Sequence, residues 1–185
     1  MGTKANVSAA KGLVSGAVYR AVLDGTAVTL PTTTSAELTG FTSLGYVSSD
    51  GLTNASTPGD SEEAWCGDVV FTGDREDTIK VKLIESLNAN VLTAVYGASN
   101  VSVASSGETS VQVPVTNDEA AAWVFDMLLK GNRKKRIVVP HGVITEMAEV
   151  TYNSTTLVGY DVTIKCSPDS TGTCHYEYIA AAADD

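Results

Sequence analysis

The side chains that could carry out chemistry are few, and four of them lie close together near the end of the sequence. Cys166, Cys174, His175 and Glu177 offer two thiols, an imidazole and a carboxylate, which are donor types that zinc accepts. Their spacing matches none of the common zinc motifs, and a complete ligand set is not evident. The favoured interpretation is that Cys166 and Cys174 pack as small apolar side chains on adjacent strands. A cross-strand disulfide in an oxidising medium remains open.

Acid–base and nucleophilic catalysis find little support in the sequence. The chain has only two histidines, His141 and His175. It contains no Gly-x-Ser-x-Gly elbow, no phosphate-binding loop and no His-Glu-x-x-His motif. A catalytic site formed by residues that are distant in sequence is disfavoured, because histidine, the usual general base, is so scarce. We therefore expect no enzymatic activity and no cofactor or metal.

A basic run stands out against a strongly acidic background. The chain carries 12 basic and 22 acidic residues, for a net charge of −10. Such a charge argues against a protein that grips phosphate backbones. Two uses of the run compete: a solvated hairpin tip, or a surface that docks on an acidic face of an identical subunit. Its members are Lys130, Arg133, Lys134, Lys135 and Arg136.

The densest acidic cluster lies in the first half of the chain. Six carboxylates are concentrated between residues 62 and 77. They are Glu62, Glu63, Asp68, Asp74, Glu76 and Asp77.

The elements that position these residues are predicted to be mostly strands. The 185 residues fit one domain, rich in Val, Thr and Gly. Residues 16–23 and 27–30 predict a hairpin about Asp24-Gly25. Residues 78–87 alternate strongly, and 100–115 predict a second hairpin. The ambiguous apolar run 120–129 is assigned to a strand, and Pro140-His141-Gly142 to a turn.

The rest of the chain completes an antiparallel pattern. Further strands are expected at 41–47, 69–71, 136–139, 142–152, 157–166 and 174–180. Residues 88–96 predict the best helix, with Asn88 or Asn90 at its start and Gly97 at its end. We therefore predict a mainly β fold, an antiparallel β-sandwich or barrel with one short flanking α-helix.

Residues 48–61 form the longest polar, turn-rich stretch and predict a long loop. Loops of this length inside a compact domain are often functional, and the alternative is a mobile surface loop.

Several short motifs in a fixed order resemble one protein family. The sequence stretches are 44–47 (LGYV), 49–53 (SDGLT), 64–65 (AW), 67–68 (GD), 83–88 (LIESLN), 91–97, 136–140 (RIVVP), 144–146 (ITE), 150–152 (VTY) and 159–160 (GY). Together they resemble the major tail tube proteins of long-tailed, siphovirus-like bacteriophages. The similarity extends from about residue 16 to residue 169.

The resemblance implies a β-sandwich with a flanking helix, a long loop and extended terminal segments, here 1–15 and 167–185. It further implies hexameric rings that stack into a tube through which viral DNA leaves the virion. The loop 48–61 would then reach the neighbouring ring. The residues expected to make that contact are Ser48, Ser49, Asp50, Gly51, Leu52, Thr53 and Asn54. The acidic cluster of residues 62–77 would supply the candidates for the wall of the lumen. The implied partners are other copies of the chain and the tail initiator, tape measure and terminator proteins, with assembly in the host cytoplasm.

Two other functions remain as alternatives. One is a different phage structural protein, such as a tail terminator or head-decoration protein. The other is a β-sandwich that binds carbohydrate or a host surface, which would be expected to expose aromatic side chains in loops. Both tryptophans, Trp65 and Trp123, lie instead in strand-like segments. No apolar stretch is long enough for a transmembrane helix, and we expect no secretory signal in residues 1–11.

Overall fold

A computed structural model describes residue 2, residues 6–14 and residues 16–181. These residues form thirteen strands and one α-helix, α1 (Ala89–Tyr96), and all strand pairs are antiparallel. The strands are β1 Lys11–Gly12, β2 Val18–Val22, β3 Thr42–Ser43, β4 Val47–Thr57, β5 Ser61–Glu63, β6 Val70–Thr72, β7 Glu76–Leu83, β8 Val101–Val103, β9 Thr109–Val111, β10 Ala121–Leu128, β11 Lys134–Met147, β12 Tyr160–Ser167 and β13 Tyr176–Ile179. The predicted mainly β class with one helix is confirmed, and the sheet does not close into a barrel within these residues.

One nine-stranded sheet organises the molecule. Its path runs β3–β2–β10–β11–β12–β7–β4, with β1 also beside β10 and β13 also beside β11. Two separate ladders, β5–β6 and β8–β9, complete the strand pairing. Parts of both predicted terminal segments therefore join the sheet, through β1 and β13. Residues 1, 3–5, 15 and 182–185 of those segments lie outside the described part of the chain.

The core fills the space between the curved sheet and the helix. In β7 the buried side chains alternate with exposed ones, as the sequence predicts for a half-buried strand. In α1, the Asn88 side chain accepts a hydrogen bond from the backbone N–H of Asn90, and Gly97 ends the helix at φ 91°. The helix is confirmed at its predicted place. The largest core side chains are Trp123, Phe125, Leu44, Ile79, Leu83, Ile164, Val81, Val91 and Val139.

Strand β10 is buried on both faces, which explains its continuous apolar run. Trp123 and Phe125 point into the core. On the opposite face, Asp126 receives two hydrogen bonds of 2.7 Å from the Arg136 guanidinium, which also donates to the carbonyls of Thr33 and Ala36. The irregular segment 23–41 is thereby tied against this face. The strand assignment for the ambiguous run is confirmed.

Two predicted turns are wrong. Residues 27–30 form no strand, because β2 pairs with β10 and β3 instead of a hairpin partner. Pro140, His141 and Gly142 lie inside the continuous strand β11. Trp123 pairs with Val139 whereas Ala121 pairs with Gly142, so β11 contains one more residue than β10 over this interval. This bulge accommodates a proline, which has no N–H to donate.

The predicted loop 48–61 is mostly a strand. Residues up to Thr57 belong to the 11-residue strand β4, which pairs with β7 at Val47↔Leu83 and, after a bulge at residues 48–51, from Leu52↔Val81 to Thr57↔Glu76. Apolar and polar residues do not alternate along β4, because neither face of this strand is fully buried. The second predicted hairpin, β8–β9, is confirmed.

Candidate functional site

The most prominent feature outside the core is a projecting hairpin, residues 58–75, which we call the arm. It continues the β4–β7 pair beyond Thr57↔Glu76 and contains the β5–β6 ladder. All its residues are exposed except Gly59 and Ala64, which are half-buried. A Cβ atom on Gly59 would lie 2.4 Å from the backbone of Gly73, so glycine allows the two strands to approach closely at the base of the arm. The arm therefore has no core of its own.

The end of the arm presents apolar side chains to solvent. We call residues 64–71 the arm tip. Its turn is closed by hydrogen bonds from Ala64 N to Val69 O (2.8 Å) and from Gly67 N to Ala64 O (2.7 Å). Trp65 is fully exposed, and the side chains of Val70 and Phe71 are 60% and 68% exposed. The sequence prediction placed Trp65 in a strand and is wrong there, because the residue lies in the turn between β5 and β6. Clustered exposed aromatic and aliphatic groups are typical of a contact surface.

Most of the predicted acidic cluster lies on or beside the arm. Glu62, Glu63, Asp68 and Asp74 belong to it, and Glu76 follows immediately, all of them exposed. Within β5–β6, Glu62 faces Phe71 and Glu63 faces Val70. Directly opposed residues share one face of a ladder, so each face of the arm carries one carboxylate and one apolar side chain.

Asp77 is the exception, and its prediction as a lumen-facing carboxylate is wrong. It is 1% exposed. One of its oxygens contacts His175 Nδ1, and the other accepts a 3.0 Å hydrogen bond from the Asn54 side chain. A buried carboxylate needs such partners, and these tie β4, β7 and the segment before β13 together.

The candidate zinc residues surround this carboxylate without assembling a metal site. No group of three or more potential ligands is found in residue 2, 6–14 or 16–181. Both thiols are free, Cys166 buried and Cys174 half-buried. Burial, followed by the nearby charge of Asp77, raises the pKa of Cys166 to about 12. The cysteine that packs in the core is thus an inert thiol under ordinary conditions.

The basic run is largely neutralised inside the molecule. Arg136 is 2% exposed and fully engaged, so its prediction as an interface residue is wrong. Lys134 lies 3.1 Å from Asp126, and Lys135 lies 2.8 Å from Glu177. The Arg133 side chain donates to the carbonyl of Ala180. Lys130 alone among the five remains both exposed and outside the ion pairs of the described chain. Asp126 is close in sequence, in the preceding strand β10, whereas Glu177 is distant, and the sequence alone does not show which of these cations are neutralised.

The other predicted interface residues lie at an open edge of the sheet. Ser48, Ser49, Asp50, Gly51, Leu52, Thr53 and Asn54 all belong to β4. In residues 6–14 and 16–181, β4 is hydrogen-bonded to β7 on one side only and ends the sheet. Its second edge is a free row of backbone donors and acceptors, which another strand can pair with.

The sequence model of the phage tail tube protein family matches residues 4–184. The chain belongs to this family. The resemblance found in the short motifs is thereby confirmed at the level of the family. No curated protein matches the sequence closely enough to extend the assignment.

Membership explains why the notable surfaces of this tail tube family member are edges and projections rather than a catalytic pocket. The family is a structural one whose members are located in the virion tail and assemble with other tail components. None of the helices in the described residues is long and apolar enough to cross a membrane. The arm and the free edge of β4 are therefore best considered as assembly surfaces.

Proposed function

We propose that copies of this chain form rings that stack into the tail tube of a siphovirus-like bacteriophage, and that the tube conducts viral DNA into the host. The observation that carries the proposal is the arm, which exposes Trp65 and Phe71 without any core of its own. In the free subunit, exposure of this apolar surface to water is unfavourable. Its burial in a contact gains a free energy of roughly 25 cal/mol per Å² of apolar area. Contact between subunits supplies that burial. The arm, rather than a loop at 48–61, is the element that reaches the next ring.

Ring closure follows from the open edge of β4. Beyond its bulge, β4 presents residues 52–57 as a regular free edge that invites pairing with a strand of an identical neighbour. When the same contact repeats around an axis, a closed ring satisfies every edge at once. Six copies per ring is the number that the family resemblance implies.

The charge of the chain suits a DNA conduit. An excess of ten negative charges repels phosphates at short range, so the wall does not retain the cargo. Glu62, Glu63, Asp68, Asp74 and Glu76 are exposed and remain the candidates for the lumen wall. Tube growth begins in the host cytoplasm on a tail initiator, extends around a tape measure protein and stops at a terminator.

The test is electron microscopy of the purified protein over a range of concentrations, with and without the arm. Because Thr57 and Glu76 are paired, residues 58–75 can be replaced by Asn-Gly, which closes the hairpin as a tight turn. We expect the intact protein to form hollow tubes with a regular axial repeat, and the armless variant to form rings that do not stack.

A matched control shortens the other projecting hairpin. Val103 and Thr109 are paired, so Asn-Gly can replace residues 104–108 in the same way. This variant should form tubes of normal length. Normal tubes from the armless variant would contradict the role of the arm, and a protein that never forms rings or tubes, even with a tail initiator, would contradict the proposed function.

The exposure of Trp65 also supports a second candidate, a module that binds carbohydrate or a host surface. Aromatic side chains in exposed turns are typical of such surfaces. A glycan-array screen of the monomeric protein distinguishes the two functions. Binding that is lost in Trp65→Ala, in a protein that forms no tubes, would favour the second.

A further inference from the structure

Two of the three cysteines lie where β12 ends and β13 begins. Both strands pair with the edge of β11 that β10 leaves free: Cys166 of β12 faces Gly142, and Tyr176, the first residue of β13, faces Val138. Four positions of β11, roughly 13 Å at about 3.3 Å per residue, therefore separate Cys166 from Tyr176. Cys174 precedes Tyr176 by two residues, and its side chain packs against the buried cluster that contains Cys166. The fold thus brings the two thiols to the same end of the core.

The two thiols also share a pocket and a charged neighbour. The pocket is open to solvent, has a volume of 780 Å³ and lies between the base of the arm and residues 165–175. Its wall includes Cys166, Cys174, Asp77 and His175. Burial, followed by the charges of Asp77 and Cys174, raises the pKa of Cys166 to about 12. Because the energy between charges falls with distance, the influence of one thiol on the other agrees with the short separation that the strand pairing implies.

The two thiols differ in how a reagent can reach them. Cys166 is 3% exposed, whereas Cys174 is half-buried on the pocket wall. Burial, followed by the charge of Asp77, also raises the pKa of Cys174, so both thiols react slowly and stay reduced in a reducing cytoplasm. A reagent in solution therefore meets Cys174 first. Cys166 is inert towards such a reagent, but it can attack a sulfur atom that is held beside it, since an intramolecular reaction has a high effective concentration.

We propose that Cys166 and Cys174 are a latent disulfide site, which closes when the subunit meets a low-molecular-weight disulfide in an oxidising medium. Cys174 attacks one sulfur of the reagent, and the other half leaves as a thiol with the proton that Cys174 lost. Cys166 then attacks the Cys174 sulfur, and the second half of the reagent leaves with the proton of Cys166. Two protein thiols are oxidised to one disulfide, and the reagent is reduced to two thiols. The bond forms within one subunit, so the proposal holds whether or not the subunits form a tube.

The bond connects the end of β12 directly to the segment before β13. His175 follows Cys174 and contacts the buried carboxylate of Asp77, near the start of β7 at the base of the arm. The cross-link therefore secures the contact that joins this segment to β7. A disulfide that closes a short loop also restricts the unfolded chain, and we expect the thermal unfolding midpoint to rise by about 5 °C on oxidation.

Peptide mass spectrometry of the full chain tests the site. Reduced protein is incubated at pH 8 with hydroxyethyl disulfide, then denatured in the presence of N-ethylmaleimide, which labels every remaining thiol. Trypsin cleaves after Lys165 and has no later site, so both cysteines lie in one peptide, residues 166–185. We expect this peptide to have lost two hydrogens and to carry no label after a few hours. Cys66, exposed in the arm tip, should instead carry one half of the reagent.

Three variants test the order of the two steps. Cys166→Ala should stop the reaction after the first step and leave half of the reagent attached to Cys174. Cys174→Ala should remove the point of entry and leave Cys166 as a free thiol over the same period. The reagent should not raise the unfolding midpoint of either variant. Cys66→Ser, the matched control outside the site, should form the bond and show the same rise as the wild type.

Four results would overturn the proposal. The first is that Cys166 and Cys174 both remain free after about a day in folded wild type, although Cys66 has reacted. The second is that the links join separate chains, and the third is that Cys166 is modified equally fast in Cys174→Ala. The fourth is that the bond forms only in urea, which would show that the folded sheet holds the two sulfur atoms apart. None of these results affects the proposed function, which electron microscopy of the tubes tests separately.

Discussion

The two tryptophans of the chain lie in regions that are built in opposite ways. Trp123, on β10, is 1% exposed, stacks on Phe125 at 6.5 Å and lies under the Arg20 guanidinium. Trp65, in the arm tip, is fully exposed and contributes nothing to the core. The same residue type thus stabilises the subunit in one region and lies on the surface in the other. The difference shows that the central strands are packed within the subunit, whereas the projecting hairpin is largely exposed.

The cysteines should reveal the largest contrast between the two regions. Burial raises the pKa of Cys166 to about 12, so about one molecule in ten thousand carries its thiolate at pH 8. Cys66 in the arm is exposed. We expect iodoacetamide at pH 8 to modify Cys66 about a thousandfold faster than Cys166, as measured by peptide mass spectrometry over time. Equal rates in native protein would mean that the core is open, and unfolding in urea should abolish the difference.

The tryptophans themselves provide the next contrast. Trp123→Ala removes a fully buried ring and should lower the free energy of unfolding by about 3–5 kcal/mol. Trp65→Ala should change it by less than about 0.5 kcal/mol, since no described contact in the core is lost. Urea unfolding followed by circular dichroism measures both. A large loss of stability in Trp65→Ala would show that the arm packs on its own subunit.

The ion pairs sharpen the same comparison. Arg136→Ala leaves Asp126 buried with only Lys134 nearby and frees the carbonyls of Thr33 and Ala36. We expect a loss of about 3 kcal/mol, at the lower end for a broken buried pair because Lys134 remains.

Lys80→Ala is the control for the arginine change. Its pair with Asp161 is at the surface, with the lysine side chain 54% exposed, and should contribute less than about 1 kcal/mol. Both values come from thermal unfolding at the same pH. If the two variants lose the same stability, the Arg136 network does not secure segment 23–41.

A smaller effect than that of Arg136→Ala is expected at the base of the arm. A Cβ on Gly59 would meet the Gly73 backbone at 2.4 Å, whereas one on Gly73 would meet its nearest neighbour, the Asp60 carbonyl, at 3.3 Å. Gly59→Ala should therefore cost about 1–2 kcal/mol and change the direction of the arm, and Gly73→Ala should cost less. Hydrogen exchange of the β5–β6 amides measures the local effect. Equal exchange in both variants would argue against a close approach at this point.

Local patterns in the sequence determined much of the fold. The alternation in β7, the hairpin β8–β9 and the capped helix α1 depend on neighbouring residues, so they were predictable. Even the apolar run of β10 was correctly assigned to a strand. The ordered motifs were sufficient to indicate the tail tube family, which the family model confirms.

The tertiary structure alone decided the features that depend on distant partners. Residues 52–57 of the polar stretch are held as a strand by pairing with β7, residues 48–51 bulge out of that register, and no period along the stretch reveals either feature. Asp77 is buried against His175, which is distant in sequence, and Arg136 is neutralised because the pairing of β10 with β11 places it directly opposite Asp126. The charge and polarity of a side chain follow from its residue type. Its exposure and its contacts are fixed only when strands that are distant in sequence pair with each other. The sequence therefore specified the family and those elements that have a local pattern, and the folded sheet decided the remaining strand pairs and which residues are exposed.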